Sequence, residues 1–274
     1  MFKKLLAAVG AGGAEVDTVL HTPGVQPGGT VHGTVRLRGG EVQQPLDDVF
    51  VEFVARVKHE IPGHGPDGDG YRGHHHDRRR RTRETMSAFG RVTVQRGVVL
   101  QPGQVVELPF QVQAPLETPI THYEDRPLPG MLVALRTQLE IKGAFDATDT
   151  DPIGIGALPA QHVLLNAVEQ LGFRLHHADV EYGRFRGTRQ QLGFHQEIEF
   201  SGSPRYPRIR ELEVSFFAGP DGMDVVLEAD RRRGLLTGDR DVTNVLHVDY
   251  ATVGQVDWPA EIHRRIERTG THWL

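Results

Sequence analysis

Apolar and polar residues alternate along most of the first half of the chain, which is the pattern of strands with one buried face. The first such run places Val31, Gly33, Val35 and Leu37 on one side. The alternation returns in residues 49–57, 90–95, 106–112 and 133–141. Each run has one apolar and one mostly polar face, so two sheets packed face to face are predicted for this half.

A break in this pattern divides the chain into two predicted domains. Residues 143–160 are rich in Gly, Pro and Asp and show no periodicity, which indicates domains of residues 1–152 and 153–274. The second domain begins with a short helix near residues 161–171, after which strand patterns return. A short amphipathic helix is predicted over residues 258–269. The predicted fold is therefore mainly β, with two β-sandwich domains and one or two short helices.

The composition excludes several classes of site. Of the 274 residues, 38% are hydrophobic and 24% are charged, which is the balance of a soluble globular protein. A formal net charge of −5 argues against a dedicated nucleic-acid binder. The chain has no cysteine, so disulfides, thiol nucleophiles and zinc sites built on thiolates are excluded. No serine lies in a GxSxG pattern and no GxGxxG leads from a strand into a helix, so no catalytic residue and no cofactor are predicted.

The first residues imitate a signal peptide. Lys3 and Lys4 precede the apolar run Leu5–Val9, which is shorter than the apolar region of about seven to fifteen residues in a secretory signal. No segment approaches the roughly 18 apolar residues that would span a bilayer. We therefore predict a short N-terminal lead-in and a cytoplasmic protein. Peripheral membrane attachment through Phe2–Leu6 is the alternative.

A basic, histidine-rich segment at residues 62–83 is unusual in this acidic chain. It lies between two predicted strands, so it is expected to form the tip of a long β-hairpin. His74 and His76 share one side of an extended chain and offer two ligands where a stable zinc site needs three or four. They are weak metal candidates, and no metal site is predicted there. A metal-dependent hydrolase that combines this segment with Asp149 and Asp151 is the enzymatic alternative.

Arginines of the same segment are candidates for partner binding. The run consists of Arg78, Arg79, Arg80 and Arg81. No helix that could enter a groove and no aromatic platform accompanies it, so specific nucleic-acid binding is not predicted. The pattern favours a solvated hairpin tip. Binding of acidic partners or of lipid headgroups by these arginines is the alternative.

Three acidic residues fall at the predicted domain boundary. Asp146, Asp149 and Asp151 repel one another unless a cation lies nearby. We expect them to form an interdomain salt bridge with Arg184 or Arg186, and exposed linker acids are the alternative.

The predicted C-terminal helix carries an apolar stripe. Trp258, Ile262 and Ile266 lie four residues apart on one face. We expect this stripe to bury against the second domain or a second copy of the chain. It is also a candidate latch or docking surface for a partner, and a homo-oligomer is one of the predicted assemblies.

Several segments resemble known protein families. "PGGTVHGTVRL", "LQPGQVVELPFQVQAP" and "LETPIT" look like the arrestin-type N-domain, in which Pro-Gly turns lead into core strands. "LRTQLEIKGAFDATDTD", "LNAVEQLGFRL" and "LGFHQEIEFSG" follow in this order and make nearly the whole chain similar to the bacterial sporulation-control family SpoOM. The chain departs from the family pattern at residues 62–83 and in "WPAEIHRRIER".

The resemblance implies two arrestin-like β-sandwiches and a cytoplasmic regulatory role without catalytic residues. We therefore predict a non-enzymatic regulatory or adaptor protein that acts by protein–protein interaction in developmental or cell-division control. Exposed strand edges and the groove between the domains are the expected contact surfaces.

Overall fold

A computed structural model describes residues 13–61, 81–141, 146–230, 240–241 and 245–271 of the chain. The strands of the first part are β1 (Glu15–Leu20), β2 (Gly24–Val25), β3 (Thr30–Arg38), β4 (Gln44–Ile61), β5 (Arg81–Leu100), β6 (Val105–Gln113), β7 (His122–Tyr123), β8 (Arg126–Pro127), β9 (Val133–Ile141) and β10 (Ala147–Pro152). The later elements are β11 (Gly154–Ile155), α1 (Pro159–Gln170), β12 (Arg174–Tyr182), β13 (Phe185–Arg186), β14 (Phe194–Ser201), β15 (Glu211–Ala218), β16 (Gly222–Asp230), β17 (Arg240–Asp241), β18 (Val245–Asp249), a 3-10 turn (Val253–Gln255) and α2 (Trp258–Thr271). Over these ranges the fold is mainly β with two α-helices, which confirms the predicted fold class.

Two sheets enclose the core of the first half. One sheet consists of β1, β3 and β6, and the other contains β5, β4, β9 and β10. Between the sheets, the buried hydroxyls of Thr18 and Thr137 lie 2.7 Å apart. Gly33 lies on the inner face of β3, where a Cβ atom would come within 2.5 Å of the Phe110 ring. The glycine therefore allows this ring to pack across the strand.

Strand β4 connects the two halves of the chain. β5 pairs with β4 along its whole length, whereas β9 pairs on the other side only as far as Ala55. Beyond that point Lys58 pairs with Glu181 of β12 in parallel orientation. Because β4 continues past β9, strands of both halves join one nine-stranded sheet within the described ranges.

The hairpin of β4 and β5 is longer than its sequence pattern indicates. The two strands pair as far as Ile61 and Arg81. Residues 81–83, which were predicted to belong to the loop at residues 62–83, are thus part of β5, and residues 62–80 lie outside the described ranges. This end of β5 is defined by its hydrogen bonds to β4 and not by an apolar pattern of its own, so the sequence alone does not show it.

The predicted domain boundary contains a strand. Residues 147–152 form β10, which pairs with β9 at the edge of the first half. Positions along β10 alternate between partly buried and exposed, but Thr and Asp occupy most of them, so no apolar periodicity arises. The aperiodic linker predicted for residues 143–160 is therefore wrong over β10, and the division after residue 152 stays a prediction.

The second half is built on the neighbouring strands β12, β14, β15, β16 and β18. Their inward apolar residues belong to the same buried cluster as those of α1 and α2, and the two helices contact each other. α1 begins at Pro159, where the backbone N–H of Leu158 donates to Oε1 of Gln161 over 2.8 Å. It ends before Gly172, whose φ of +88° favours glycine.

Candidate functional site where the two halves meet

The aspartates predicted to join the domains bind groups of the first half. Asp149 Oδ2 accepts a hydrogen bond from the backbone N–H of Thr18 over 2.6 Å. Asp146 Oδ1 accepts one from the backbone N–H of Ile141 over 3.2 Å. Asp149 belongs to β10 and reaches β1, whereas Asp146 precedes β10 and reaches the end of β9, so both carboxylates satisfy N–H groups at the edge of the sandwich. Both carboxylates thus serve the first half of the chain, and the interdomain salt bridge stays a prediction.

Asp151 carries a perturbed carboxyl group at the same edge. Its Oδ2 is buried without a hydrogen-bond partner. Burial raises the pKa of Asp151 to about 6, and the neighbouring Asp149 and Asp17 add to this shift. The Asp151 carboxyl therefore holds a proton in mildly acidic solution. Arg184, one of the two predicted cationic partners, donates instead to the carbonyl of Gln191 over 2.9 Å.

The two halves meet at the end of β4. Lys58 forms an ion pair with Asp179 of β12, and only 7% of the Asp179 side chain is exposed. Burial opposes the charge on the Lys58 ammonium, but its hydrogen bond to Asp179 and the attraction of nearby carboxylates raise its pKa. Removing one partner of such an enclosed pair is costly, because the other charge stays in a poorly solvating environment.

Directional hydrogen bonds extend this junction. The carboxylate of Glu117 accepts from the backbone N–H groups of Gln191 and Leu192 over 2.8 and 2.9 Å. Burial raises the pKa of Glu117, against the opposing effect of these two bonds. The Gln196 side chain binds both backbone groups of Ile120, over 3.0 Å to the N–H and 2.7 Å to the carbonyl. The orientation of the two halves is thus set by satisfied polar groups.

One face of the second sheet is crowded with carboxylates, and we call it the acidic face. It consists of Asp179, Glu197, Glu199, Glu211, Glu213 and Glu228. Glu199 lies directly opposite Glu213, which in turn lies directly opposite Glu228. Like charges in directly opposite positions destabilise a sheet, so this face requires compensating protons or cations.

Glu199 lies among these groups. Burial raises the pKa of Glu199 to about 8, and the adjacent Glu211 and Asp179 add to the shift. His176 Nε2 lies 3.5 Å from Glu199 Oε2 and 3.4 Å from Glu211 Oε1. His177, Asp179 and Glu199 each offer a ligand atom within 4.8 Å of the other two. This part of the acidic face has the groups to hold a proton or a metal ion.

Sequence reasoning missed the acidic face. Its signal is Glu at alternate positions in the segments "QEIEF" and "ELEVSF". Alternation places these carboxylates on one side of each strand. Only the register between the strands shows that the two rows meet.

Strand β5 exposes a long edge. Within the described ranges it pairs only with β4, so the backbone groups along its other side have no strand partner. Met86 and Val99 on β5 are 39% and 45% exposed. Arg91 turns toward Glu52 of β4, with Nε 2.8 Å from Oε2. An edge of this length can accept an extended segment of another protein.

The apolar stripe of the C-terminal helix is buried in its own chain. Trp258, Ile262 and Ile266 are 6%, 0% and 6% exposed and belong to the main core. The Tyr206 hydroxyl lies 2.8 Å from Nδ1 of His263, which adds a polar contact between α2 and the rest of the second half. Contrary to the prediction of a partner-binding surface, these three residues are not accessible to a partner in this structure.

Other predicted residues fall outside the described part of the chain. These are His74, His76, Arg78, Arg79 and Arg80, together with the N-terminal residues 2–9. Arg81 is the first residue of β5. Neither α1 nor α2, as far as the described ranges extend, has the length and apolar character needed to cross a membrane.

Comparison with known proteins gives a consistent result. The model of a family described as SpoOM protein matches residues 2–233. The sporulation-control protein spo0M of Bacillus subtilis (strain 168) is 36% identical over 237 residues, which cover 85% of this chain and 82% of that relative. The crystal structure of Spo0M, sporulation control protein, from Bacillus subtilis matches with a TM-score of 0.73 at 28% sequence identity, over 93% of this chain and 98% of the other. The chain therefore belongs to the SpoOM family.

Proposed function

We propose that this chain is a non-enzymatic regulatory protein of sporulation or cell-division control, which acts in the cytoplasm by binding another protein. The name of its relative, sporulation-control protein spo0M, supports the regulatory process. The similarity extends over most of both chains, so it concerns the whole fold and not one shared segment.

The open edge of β5 is the observation that carries the binding mechanism. A partner segment in extended conformation would pair with this edge through main-chain hydrogen bonds, and the hairpin would keep its own pairing. Met86 and Val99 would add apolar contacts beside the edge. Side chains at alternate positions of the partner would then provide specificity.

The carboxylates required by the alternative hydrolase have structural partners. Asp149 accepts a hydrogen bond from the backbone of Thr18, and Asp151 lies next to it, partly buried, on the same strand. Both residues lie on an edge strand of the first half. These contacts support a structural function for the pair and weigh against a catalytic one.

A double variant, Met86→Lys/Val99→Lys, tests this function in the organism that encodes the chain. Spore count and the timing of septation are measured in the parent, a deletion strain and the variant. Val163→Lys is the matched control, because Val163 is 37% exposed but lies on α1, away from the edge. We expect the deletion and the double variant to change these readouts in the same direction, and the control to behave like the parent.

Unchanged spore count and septation in the deletion strain would refute the regulatory function. A deletion effect that the double variant does not reproduce would instead show that the partner binds away from β5.

A further inference from the structure

We propose that His177, Asp179 and Glu199 bind one divalent transition-metal ion of the zinc type at the junction between the domains. His177 and Asp179 belong to β12, and Glu199 belongs to β14. The register places His177 directly opposite Glu199. The three side chains therefore meet across neighbouring strands.

These side chains are close enough to share an ion. One ligand atom from each residue lies within 4.8 Å of the other two. Nitrogen and oxygen ligands about 2.0–2.2 Å from a tetrahedral zinc ion lie roughly 3.3–3.5 Å from each other. Binding of an ion therefore requires the three side chains to move closer together by rotation about their own bonds.

Asp179 distinguishes this group from an ordinary acidic surface. The residue is 6% exposed. Lys58 holds its Oδ2, while its Oδ1 is buried with no hydrogen-bond partner. A buried acceptor without a partner is costly, and a metal ion would satisfy it. With the ion on Oδ1, Lys58 would still donate to Oδ2 and so orient the metal-binding carboxylate of Asp179.

His177 is held in place by the first half of the chain. A Cβ atom on Gly130 would lie 2.3 Å from Cε1 of His177, so the glycine backbone packs directly against the imidazole ring. The φ of Gly130 is +94°, which also favours glycine. A loop before β9 thus positions one proposed ligand, as Lys58 of β4 positions another. A bound ion would therefore stabilise the junction between the halves.

The balance of charges favours a cation. Glu199 interacts with both Asp179 and Glu211. Within the described ranges, the cationic partners of these three carboxylates are Lys58 and His176, and His176 is charged only when it is protonated. A divalent ion would offset the remaining negative charge.

The ligand types indicate which metals fit. Imidazole nitrogen combined with carboxylate oxygen suits zinc and other first-row transition metals, whereas Mg²⁺ and Ca²⁺ prefer oxygen ligands alone. The Glu199 side chain is 16% exposed, which gives an ion a path from solvent. Water would complete a four-coordinate site.

Calorimetric titration of the full chain with zinc chloride tests the site. The titrated protein, which we call the background protein, carries His74→Ser, His75→Ser and His76→Ser, because these consecutive histidines would bind zinc themselves. We expect one equivalent of Zn²⁺ to bind in this background, and His177→Gln or Asp179→Asn to weaken binding at least about tenfold. At one zinc concentration, Zn²⁺ should also raise the melting temperature of the background protein more than that of the His177→Gln variant.

His176→Gln is the matched control, since His176 adjoins Glu199 without belonging to the proposed ligand set. It should retain the affinity of the background protein. His177→Gln leaves the Lys58 and Asp179 ion pair intact, so its result stands even if Asp179→Asn fails to fold.

Three results would overturn the proposal. The first is the absence of zinc binding in the background protein, and the second is unchanged affinity in the His177→Gln variant. The third is equal binding of Mg²⁺, which would exclude a role for the imidazole. Loss of binding in His176→Gln with retention in His177→Gln would assign the ion to the neighbouring group of His176, Glu199 and Glu211.

Discussion

Lys58 and Asp179 connect the two halves of the chain, because the Lys58 ammonium donates to Oδ2 of an aspartate on β12. The contact exists since β4 continues past the end of β9 and there lies beside β12. β4 also pairs with the whole of β5, the strand with the open edge. The proposed binding edge and the acidic face are therefore joined through one strand.

Replacing Lys58 by Met should lower the free energy of unfolding by on the order of 3 kcal/mol, because the nearly buried Asp179 carboxylate would lose its cationic partner. Arg36→Met is the matched control. It breaks a pair with Glu107 in which the two side chains are 52% and 56% exposed, and it should cost under about 1 kcal/mol. Urea unfolding measures both variants. Equal losses would mean that the Lys58 pair contributes no more than a surface contact.

Asp151→Asn should stabilise the protein at neutral pH. The pKa of Asp151 is raised from 3.8 to about 6 in the folded state, so ionisation of this group opposes folding. Its cost grows as the pH rises from about 4 to 6 and is complete above that window. The Asn variant should therefore unfold at higher urea concentration at pH 7.5, with a gain of under about 1 kcal/mol because solvent screens a partly exposed group.

The same comparison at pH 4 is the control, since Asp151 is then largely protonated in the parent as well. A stability difference that stays constant between pH 4 and pH 7.5 would contradict the raised pKa.

Ile262→Ala should lower the free energy of unfolding by about 2–5 kcal/mol, because Ile262 is 0% exposed in the core beneath α2. Val256→Ala is the control from the same segment, since Val256 is 41% exposed, and its effect should be within about 0.5 kcal/mol. Thermal or urea unfolding measures the difference. A small effect of Ile262→Ala would mean that α2 does not stay packed in solution.

Gly130→Ala should destabilise the protein and weaken zinc binding together. The new Cβ would lie 2.3 Å from Cε1 of His177 and 2.4 Å from the carbonyl oxygen of Ala178, so the loop or the ring must move. Gly103→Ala is the matched control, because Gly103 also has a positive φ of +67° but no atom within 4 Å of an added Cβ. The control should cost only about 1–2 kcal/mol of backbone strain. With both glycine variants made in the His74→Ser, His75→Ser, His76→Ser background, the zinc affinity of the control should equal that of the background protein.

Several elements of the fold follow from local sequence patterns. Alternation predicted the strands that are observed at Thr30–Arg38 and Val105–Gln113. The spacing of Trp258, Ile262 and Ile266 predicted α2 and its buried face. These features can be predicted because a repeat of two or about 3.6 residues involves only positions that are close in the chain. β10 escaped prediction because an edge strand with Thr and Asp at most positions has no such repeat.

The candidate site depends on relationships that no local pattern contains. Glu at alternate positions determines which side of its strand each carboxylate occupies. The register between the paired strands decides that Glu199 lies opposite Glu213 and that His177 lies opposite Glu199. Asp149 likewise meets Thr18 because β10 lies beside β1 in the folded chain. The strands with alternating faces and the two helices could therefore be read from local patterns. Which faces meet, and where an edge strand such as β10 forms, depends on pairing and register, which are properties of the folded chain.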